Sequence, residues 1–391
     1  MKKKIAILGS TGSIGKTLIK ILKKDLNNFE IVLLTADRNY YELLKQAKIL
    51  NVKNLIITNR NSFLKLNENT ISKKINIFNN FKSFDRIFKK KIDYTMSSIS
   101  GLSGLNPTLN IIKHTKSIAI ANKESIICGW NILNSELKKN KTKFIPVDSE
   151  HFSIDYALKN NLVSNVKSIY LTASGGPLHN IPLNRFKKIK ITDVLKHPNW
   201  RMGKKISIDS STLMNKVFEV IEAQKIFGIN FKKFKVLTHP KSYVHAIIKF
   251  KNGLTKILIH DTDMKIPIFN SIYQESLKKI NTKKIDINLL NNLKLMKINL
   301  EKFPSIKILK KINNQNTLFE TVLISANDEL VELYIKNKIK FLEINKILLK
   351  VLNNKKYSNL IKKKPKKISD IINLSEEVRL KTRNLCIQLA M

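Results

Sequence analysis

The stretch Lys4-Ile5-Ala6-Ile7-Leu8-Gly9-Ser10-Thr11-Gly12-Ser13-Ile14-Gly15 decides the fold class. It begins with a short apolar run that predicts a buried strand, and the amphipathic run of residues 16–22 behind it predicts a helix. Glycines at every third position of the intervening turn allow a tight bend and let the backbone approach a pyrophosphate at the helix N-terminus. The spacing is GxxGxxG rather than GxGxxG, and the strand, turn and helix together predict a Rossmann-type dinucleotide site.

Further alternation of strand-like and helix-like segments predicts an open parallel sheet. The other predicted strands of this sheet are residues 29–35, 52–58, 93–98 and 117–121. After the second strand come Asp37, Arg38 and Asn39, where a Rossmann fold contacts the adenosine ribose. Arg38 can hold a 2′-phosphate with Asn39 as a polar helper, whereas Asp37 can accept from the free 2′-hydroxyl of NAD. We favour NADPH because of Arg38.

Two carboxylates, a hydroxyl and an imidazole lie close together in Pro146-Val147-Asp148-Ser149-Glu150-His151. Residues 143–145 before them predict a strand that ends at the proline. If the chain stays extended, Asp148 and Glu150 point to the same side, where two hard oxygen ligands can hold Mg²⁺ or Mn²⁺. The alternative is a solvated acidic turn that caps the next helix.

Three further segments have the composition of binding loops. Asn122-Lys123-Glu124-Ser125 follows a predicted strand at the edge where open α/β sheets bind ligands, although a helix cap is the alternative. Ser174-Gly175-Gly176 follows a predicted strand at 165–172 and can present N–H groups and a hydroxyl to an anion, or form a plain tight turn. His197-Pro198-Asn199-Trp200-Arg201-Met202-Gly203 is a polar loop whose tryptophan predicts a lid.

A helix from Leu213 to Ala223 is predicted, with Asp209-Ser210-Ser211-Thr212 as its cap. On this helix Asn215 and Lys216 share a face with Glu219, while the opposite face is apolar. A surface Lys–Glu pair is the usual meaning of this spacing. The functional alternative is a third metal carboxylate beside an amide, a lysine and a helix N-terminus that together bind phosphate.

The remaining chain predicts a second sheet followed by a helical end. Residues 234–238, 244–250 and 254–259 predict a largely antiparallel sheet, with His239 and His245 as structural residues in or beside it. From about Asn292 the pattern is helical with basic linkers, with helices at 318–337, at 341–352 and from Ser375. The expected domains are residues 1–147 for the dinucleotide, 148–275 for catalysis with a lid at about 197–205, a linker at 276–300 and a helical domain at 301–391.

Composition excludes several classes of protein. The 391 residues contain only two cysteines, Cys128 and Cys386, which argues against a disulfide framework and fits a reducing cytoplasm with buried thiols. The sequence contains no run of eighteen or more apolar residues, so we predict no membrane span. The formal net charge of +43 suggests nucleic acid, but the lysines are spread along the chain together with asparagine and isoleucine. Genomic base composition explains this pattern better than a specific nucleic-acid site does.

Six motifs in this order, GSTGSIG, ANKES, PVDSEH, ASGGP, HPNWRMG and DSSTLMNKVFEVIEA, resemble the 1-deoxy-D-xylulose 5-phosphate reductoisomerase family. The likeness covers essentially the whole chain, including DMKIP at Asp263–Pro267 and SANDE at Ser325–Glu329. It implies an α/β fold with an N-terminal Rossmann-like NADPH-binding domain, a central α+β catalytic domain and a C-terminal helical domain. It also implies a homodimer that forms 2-C-methyl-D-erythritol 4-phosphate in the non-mevalonate isoprenoid pathway.

The resemblance carries roles over to individual positions. It implies that Asp148, Glu150 and Glu219 bind Mg²⁺, Mn²⁺ or Co²⁺ and that Lys123 acts with them in catalysis. Substrate-binding residues would be Lys123, Ser149, Glu150, Ser174, His197, Ser210, Asn215, Lys216 and Glu219, with Trp200 on the lid. NADPH-facing residues would be Thr11, Gly12, Ser13, Ile14, Asp37, Arg38, Asn39, Asn122, Glu124 and Gly203. The family often has glycine where Asp37 stands here.

Two other functions remain open from the sequence. One is a related NADPH reductase that acts on a different phosphorylated substrate. The other is a basic nucleic-acid-binding protein that retains a Rossmann scaffold. The three acidic residues argue against the second, because they would repel a phosphate backbone unless a metal intervened.

Overall fold

The computed structural model describes residues 1–68, 75–200, 202–274, 278–284 and 286–390. Two compact units make up the chain. The first consists of Met1–Ile126, Asn131–Asp148 and Met264–Ile280, and the second of Ile127–Trp130, Ser149–Asp263 and Asn281–Met391. The acidic segment at residues 146–150 is therefore where the chain passes from the first unit into the second. In the described residues, no helix is long and apolar enough to span a membrane.

A seven-stranded parallel sheet is the centre of the first unit. The parallel sheet is confirmed, whereas its short strand at residues 76–78 was not predicted. Its strands are β1 (Lys3–Leu8), β2 (Phe29–Ala36), β3 (Asn54–Ile57), β4 (Asn76–Phe78), β5 (Ile92–Ser97), β6 (Thr115–Ile120) and β7 (Lys143–Pro146). The order across the sheet is β4-β3-β2-β1-β5-β6-β7. The direction of winding reverses between the neighbours β1 and β5, and in open α/β sheets a ligand binds at such a point, beside the carboxyl ends of the strands.

Helices cover the faces of this sheet. They are α1 (Ser13–Leu22), α2 (Tyr40–Leu50), α3 (Arg60–Glu68), α4 (Phe84–Ile87), α5 (Leu105–Ile111) and most of α6 (Lys123–Lys139), together with α11 (Lys265–Tyr273) from later in the chain. Leu18 and Leu22 of α1 pack into a core with Ile5 and Ile7 of β1, and Ile268 of α11 joins them. Removing this apolar surface from water fixes the helix that begins at the glycine turn against the sheet.

The second unit is built on a five-stranded mixed sheet. Its strands are β8 (Val166–Ala173), β9 (Phe234–Thr238), β10 (Val244–Phe250), β11 (Thr255–Ile259) and β12 (Met296–Lys297), in the order β11-β10-β8-β9-β12. Three of the four strand pairs are antiparallel, and β8 with β9 is the parallel one. The prediction of a largely antiparallel second sheet is therefore confirmed.

The α-helices of the second unit are α7 (Ser149–Leu158), α8 (Ile191–Leu195), α9 (Lys204–Ser211), α10 (Met214–Phe227), α12 (Ile287–Asn291), α13 (Leu318–Ile335), α14 (Phe341–Asn353), α15 (Lys355–Ser358) and α16 (Ile368–Ala390). The last four form a group at the end of the chain. The last helix begins at Ile368 rather than at Ser375, because the Asp370 carboxylate accepts the backbone N–H groups of Lys366 and Lys367 and so starts the helix earlier.

Two local predictions are wrong. The chain does not stay extended through Asp148 and Glu150, because α7 already begins at Ser149. Asp209 and the two serines after it do not cap the helix that follows, because they lie in the last turn of α9, and α10 starts after Leu213 in a left-handed conformation with φ 58°.

Candidate active site

The glycine turn after β1 brings backbone to the crevice. Gly9 has φ 79°, and a Cβ there would lie 2.8 Å from the Ser98 carbonyl oxygen, so the turn and the loop after β5 touch through their backbones. A Cβ on Gly15 would lie 2.5 Å from Ser10 Cα, so α1 packs directly on the turn. Thr11 to Ile14 remain at least partly exposed at the start of α1, where N–H groups and the helix dipole favour an anion.

The loop after β2 shows how Asp37 and Arg38 coexist. The Asp37 carboxylate accepts the Thr58 hydroxyl at 2.8 Å and lies 3.3 Å from Arg38 Nε. Both side chains are well exposed, with 81% of the Arg38 side chain accessible. Asn39 caps α2 by accepting the Glu42 N–H. The carboxylate therefore sits beside the guanidinium, whose outer N–H groups can face a 2′-phosphate.

Asn122 is a structural cap. Its amide nitrogen donates to the carbonyl oxygens of Ile99 and Gly101, and its oxygen accepts the Ser125 N–H at 2.7 Å. These bonds tie the loop after β5 to the start of α6 and place Lys123 and Glu124 in the first turn of that helix. The helix-cap alternative is correct for Asn122. Lys123 forms an ion pair with Asp148, and both side chains are mostly buried.

Glu150 and Glu219 flank the ammonium group of Lys216 in the second unit. Lys216 Nζ donates to Glu150 at 2.8 Å and also pairs with Glu219. Burial lowers the pKa of Lys216, but the two carboxylates outweigh burial and raise the pKa above its ordinary value. The amide of Asn215 donates to Glu219 at 2.5 Å. The face shared by Asn215, Lys216 and Glu219 is thus confirmed, and it is buried rather than a surface ion pair.

Asp148 is two residues before Glu150, so the local backbone keeps its carboxylate in the same neighbourhood. One carboxylate oxygen from each of Asp148, Glu150 and Glu219 lies within 4.8 Å of the others. All three donors are hard oxygens, the ligands that Mg²⁺ and Mn²⁺ prefer. Two ammonium groups, those of Lys123 and Lys216, now neutralise part of this charge. The donor set therefore fits a divalent cation.

Ser174 and His197 form a polar pair whose proton positions follow from their partners. His197 Nδ1 accepts the backbone N–H groups of Asn199 at 3.2 Å and Trp200 at 3.0 Å, so it carries no proton. The proton of the neutral ring is then on Nε2, which donates to Ser174 Oγ at 3.0 Å. The Gly176 N–H donates to the same oxygen. Ser174 therefore has its own proton left to donate to a ligand.

Burial lowers the pKa of His197 to about 4, which keeps the ring neutral at physiological pH. The loop that carries it is also fixed further along, because the Asn199 amide donates to the Pro240 carbonyl oxygen and the Ser242 hydroxyl. Trp200 packs edge-on against His245, with ring centroids 6.2 Å apart. Arg201, within the predicted lid, lies outside the described residues.

Ser210 lies in the last turn of α9, and the loop that carries Ser174 packs against the backbone of that turn. Gly176 has φ 64°, and a Cβ there would lie 2.9 Å from the Ser210 carbonyl oxygen, so the Ser174 loop lies against the end of α9. The Thr212 hydroxyl accepts the backbone N–H of Met214, the first residue of α10, at 3.3 Å. The backbone of Ser210 therefore lies against the Ser174 loop, and Ser210 is not at the helix N-terminus that the sequence suggested for it.

Sequence reasoning missed several residues that hold this site. Asn199 fixes the lid loop, and Asn327 donates to Asp209 beside Ser210. The polar run SANDE was the signal available for Asn327, whereas the contacts of Asn199 are long-range and leave no local pattern. His245, which the sequence predicts as a structural residue, stacks on His260 with ring centroids 3.7 Å apart. His245 lies in β10, which agrees with a structural role.

A Rossmann-type unit with a glycine turn, joined to a unit with a carboxylate cluster and phosphate-type donors, defines a metal-assisted, dinucleotide-dependent oxidoreductase. Three family models match the chain: 1-deoxy-D-xylulose 5-phosphate reductoisomerase at residues 5–129, its C-terminal domain at 144–227, and the DXP reductoisomerase C-terminal domain at 259–381. The chain belongs to the 1-deoxy-D-xylulose 5-phosphate reductoisomerase family.

Individual relatives agree with this assignment. The chain is 56% identical to the reductoisomerase of Pelagibacter ubique over 387 residues, covering 98% of this chain and 100% of the relative. It is 36% identical to that of Clostridium kluyveri over 360 residues, with 91% and 94% covered. The enzyme of Zymomonas mobilis in complex with NADPH superposes with a TM-score of 0.86 at 28% identity, covering 99% of both chains.

A second solved structure, DOX-P reductoisomerase in complex with NADPH, fosmidomycin and magnesium, superposes with a TM-score of 0.90 at 26% identity. The match covers 100% of this chain and 99% of that one. These full-length matches confirm the fold class that the sequence predicts, namely a mixed α/β protein with a Rossmann-like sheet, a second sheet and a helical C-terminal region.

Proposed function

We propose that this protein converts 1-deoxy-D-xylulose 5-phosphate into 2-C-methyl-D-erythritol 4-phosphate by a skeletal rearrangement and a hydride reduction with NADPH. This reaction belongs to the non-mevalonate isoprenoid pathway. The observation that carries the proposal is the cluster of Asp148, Glu150 and Glu219, because three convergent carboxylates suit a metal-assisted rearrangement in a family member.

Asp148, Glu150 and Glu219 would hold Mg²⁺, Mn²⁺ or Co²⁺. A divalent cation, when bound, polarises a carbonyl group and stabilises negative charge on oxygen. Lys123 and Lys216 pair with these carboxylates, and neutralisation of the carboxylates by a cation would release both ammonium groups for substrate oxygens. Lys123 and the Ser149 hydroxyl would then contact the oxygens of the reacting carbons, and Lys216 would contact the phosphate.

The phosphate would bind to hydrogen-bond donors of the second unit. Ser174 has an unused hydroxyl proton, since His197 and Gly176 already donate to its oxygen. The hydroxyl of Ser210 and the amide of Asn215 would add further donors. Binding energy from this remote group positions the reacting end of the substrate. Closure of the loop around Trp200 would exclude water during the rearrangement.

NADPH would lie along the glycine turn of the first unit. Thr11, Gly12, Ser13 and Ile14 would face its pyrophosphate, and Arg38 would hold the 2′-phosphate with Asn39 nearby and Asp37 beside the guanidinium. Glu124 and Gly203 would contribute further contacts. Asn122 would act mainly through its cap, since its side chain is already bonded on both ends. Fosmidomycin, bound in the relative described above, would occupy the substrate position here.

We also propose a cytoplasmic homodimer without a specific nucleic-acid partner or membrane anchor. Both cysteines are buried, and a chain with only two cysteines suits a reducing compartment. Light scattering on the protein as it elutes from a size-exclusion column would measure the mass of the assembly, and about twice the chain mass of 45.0 kDa is expected.

Product identification tests the proposed function. The protein is incubated with ¹³C-labelled 1-deoxy-D-xylulose 5-phosphate, NADPH and Mn²⁺, and the carbon skeleton of the product is read by NMR. A branched methyl-erythritol skeleton is expected, and its formation should stop with chelator. A reduced but unbranched product would indicate the rival reductase.

A further inference from the structure

Helix α13 carries a buried polar run, Ser325 to Glu329, which has no part in the proposed binding of metal, substrate or NADPH. Asn327, Asp328 and Glu329 are all buried, although charged residues rarely are. Their partners explain why the run is tolerated, since each side chain has a hydrogen-bond or ion-pair partner on a neighbouring helix of the second unit. The partners lie on α9 and on α16, and Asp328 has one on each, because it pairs with Lys205 of α9 at 3.1 Å and with Arg379 of α16 at 3.0 Å.

The contacts to α9 hold both ends of that helix. The Asn327 amide donates to Asp209 Oδ1 at 2.8 Å, next to Ser210. Lys205, one turn earlier, bridges Asp328 at 3.1 Å and Asp209 at 3.2 Å. Lys205 and Asp209 are four residues apart, so a single face of α9 is attached to α13. Since α9 begins after Gly203, these contacts also fix the point at which the lid loop ends.

The same face of α13 also holds α10. Lys225, near the end of α10, donates to Glu320 at 2.7 Å, and both side chains are almost completely inaccessible. Glu320 lies seven residues before Asn327, about two helical turns along one face. Helix α13 is thus attached to the helix that carries Ser210 and to the helix that carries Asn215 and Lys216.

From these contacts we propose that Asn327 and Asp328 are positioning residues for the substrate phosphate. They hold α9 at a fixed place relative to α10, so that Ser210 stays aligned with Asn215 and Lys216. The proposal rests on the proposed function, because it takes these residues as the phosphate site. Small displacements of a binding group are costly, and a shift of about 1 Å can reduce the rate by up to about 100-fold.

Glu329 provides a matched control. It is as buried as its neighbours and belongs to the same run, but it pairs with Arg383 at 2.7 Å and with Arg379 at 3.5 Å, both on α16. Glu329→Gln therefore weakens the contacts between α13 and α16 without removing a contact to α9. Asn327→Ala removes the hydrogen bond to Asp209. The nearly isosteric Asp328→Asn weakens the ion pairs with Lys205 on α9 and with Arg379 on α16, and Glu329→Gln controls for the second of these.

The experiment measures steady-state kinetics and hydrogen exchange on all three full-length variants. For Asn327→Ala and Asp328→Asn, kcat/KM for 1-deoxy-D-xylulose 5-phosphate should fall about tenfold while KM for NADPH stays within about twofold. Backbone amides of residues 204–211 should exchange faster in the free protein. Glu329→Gln should change neither quantity. Should Asn327→Ala not fold, Asp328→Asn and its exchange rates still decide the matter.

Unchanged kinetics and unchanged exchange at 204–211 in folded Asn327→Ala would overturn the positioning role. An equal loss in Glu329→Gln would overturn it too, since general destabilisation would then explain the effect. Failure of the wild-type protein to turn over the substrate would instead contradict the proposed function, and the exchange rates would still show whether Asn327 and Asp328 hold α9.

Discussion

The starts of α1 and α10 lie at the proposed cofactor site and the proposed substrate site, and they are built in opposite ways. Helix α1 starts at Ser13 behind Gly12, at the surface, and offers backbone N–H groups. Helix α10 starts behind Leu213 in a left-handed turn, is almost entirely buried, and offers the side chains of Asn215, Lys216 and Glu219. The first site is local in sequence, whereas the second depends on partners from distant segments.

Removing a carboxylate at the start of α10 should lower the activity more than any other change. Glu219→Gln should lower kcat/KM by about 1000-fold or more, because a divalent cation loses a charged ligand, while the fold stays intact. Mn²⁺ affinity measured by titration calorimetry should fall in parallel. Glu222→Gln, equally buried one turn later, is the matched control and should keep metal affinity. Normal turnover and metal affinity in Glu219→Gln would remove Glu219 from the metal site.

The proposed cofactor site at the start of α1, called the backbone site below, is tested by adding a single methyl group to one glycine of the turn. A Cβ on Gly12 meets only the Gly9 oxygen, at 3.4 Å, and the φ of −76° suits alanine. Gly12→Ala should therefore keep the melting temperature but raise KM for NADPH about tenfold, because the methyl group lies where the pyrophosphate approaches. Gly15→Ala, with its 2.5 Å clash, should cost about 1–3 kcal/mol of unfolding free energy. An unchanged KM for NADPH in Gly12→Ala would contradict the backbone site.

Cofactor choice should depend on Arg38 more than on Asp37. Arg38→Ala should reduce the preference for NADPH over NADH by about tenfold, the value of one charge-assisted pair. Asp37→Asn should change the preference less, because an amide oxygen can still accept the Thr58 hydroxyl. Initial rates with both cofactors give the ratio. A larger loss of preference in Asp37→Asn than in Arg38→Ala would reverse these roles.

A change at Ser174 should affect substrate binding without affecting cofactor binding. Ser174→Ala removes a hydroxyl whose proton is free for a ligand, so KM for 1-deoxy-D-xylulose 5-phosphate should rise about tenfold. KM for NADPH should stay unchanged, as measured in the same assay. Equal increases in both constants would show that the variant disturbs the fold rather than the phosphate site.

Acid should weaken the fold slightly through His197. Its pKa is about 4 in the folded protein and 6.5 in the unfolded chain, so the unfolded chain takes up the proton first as the pH falls. The free energy of unfolding therefore decreases from about pH 6.5 towards pH 4 on account of this residue. Urea unfolding at pH 7, 6 and 5 should show a shallower decrease for His197→Asn, whereas Ser174→Ala keeps the imidazole and should keep the slope.

The contrast between the two helix starts explains what could be predicted. The glycine turn is encoded within twelve consecutive residues, and the predicted strands of the parallel sheet agree with the structure to within two or three residues at their ends. The face shared by Asn215, Lys216 and Glu219 follows from helical spacing and was also predicted. The cap by Asp209 and the extended run at Asp148 were wrong, because hydrogen bonds from distant helices and early helix starts override local pattern.

The proposed reaction needs the carboxylate metal site and oxidises NADPH as 1-deoxy-D-xylulose 5-phosphate is rearranged and reduced. The direct measurement is absorbance of NADPH with substrate and Mg²⁺ or Mn²⁺, repeated with chelator and with NADH. We expect oxidation that requires substrate and metal and that prefers NADPH. A folded, metal-loaded protein that leaves NADPH unchanged, or that turns over equally well in chelator, would contradict the account.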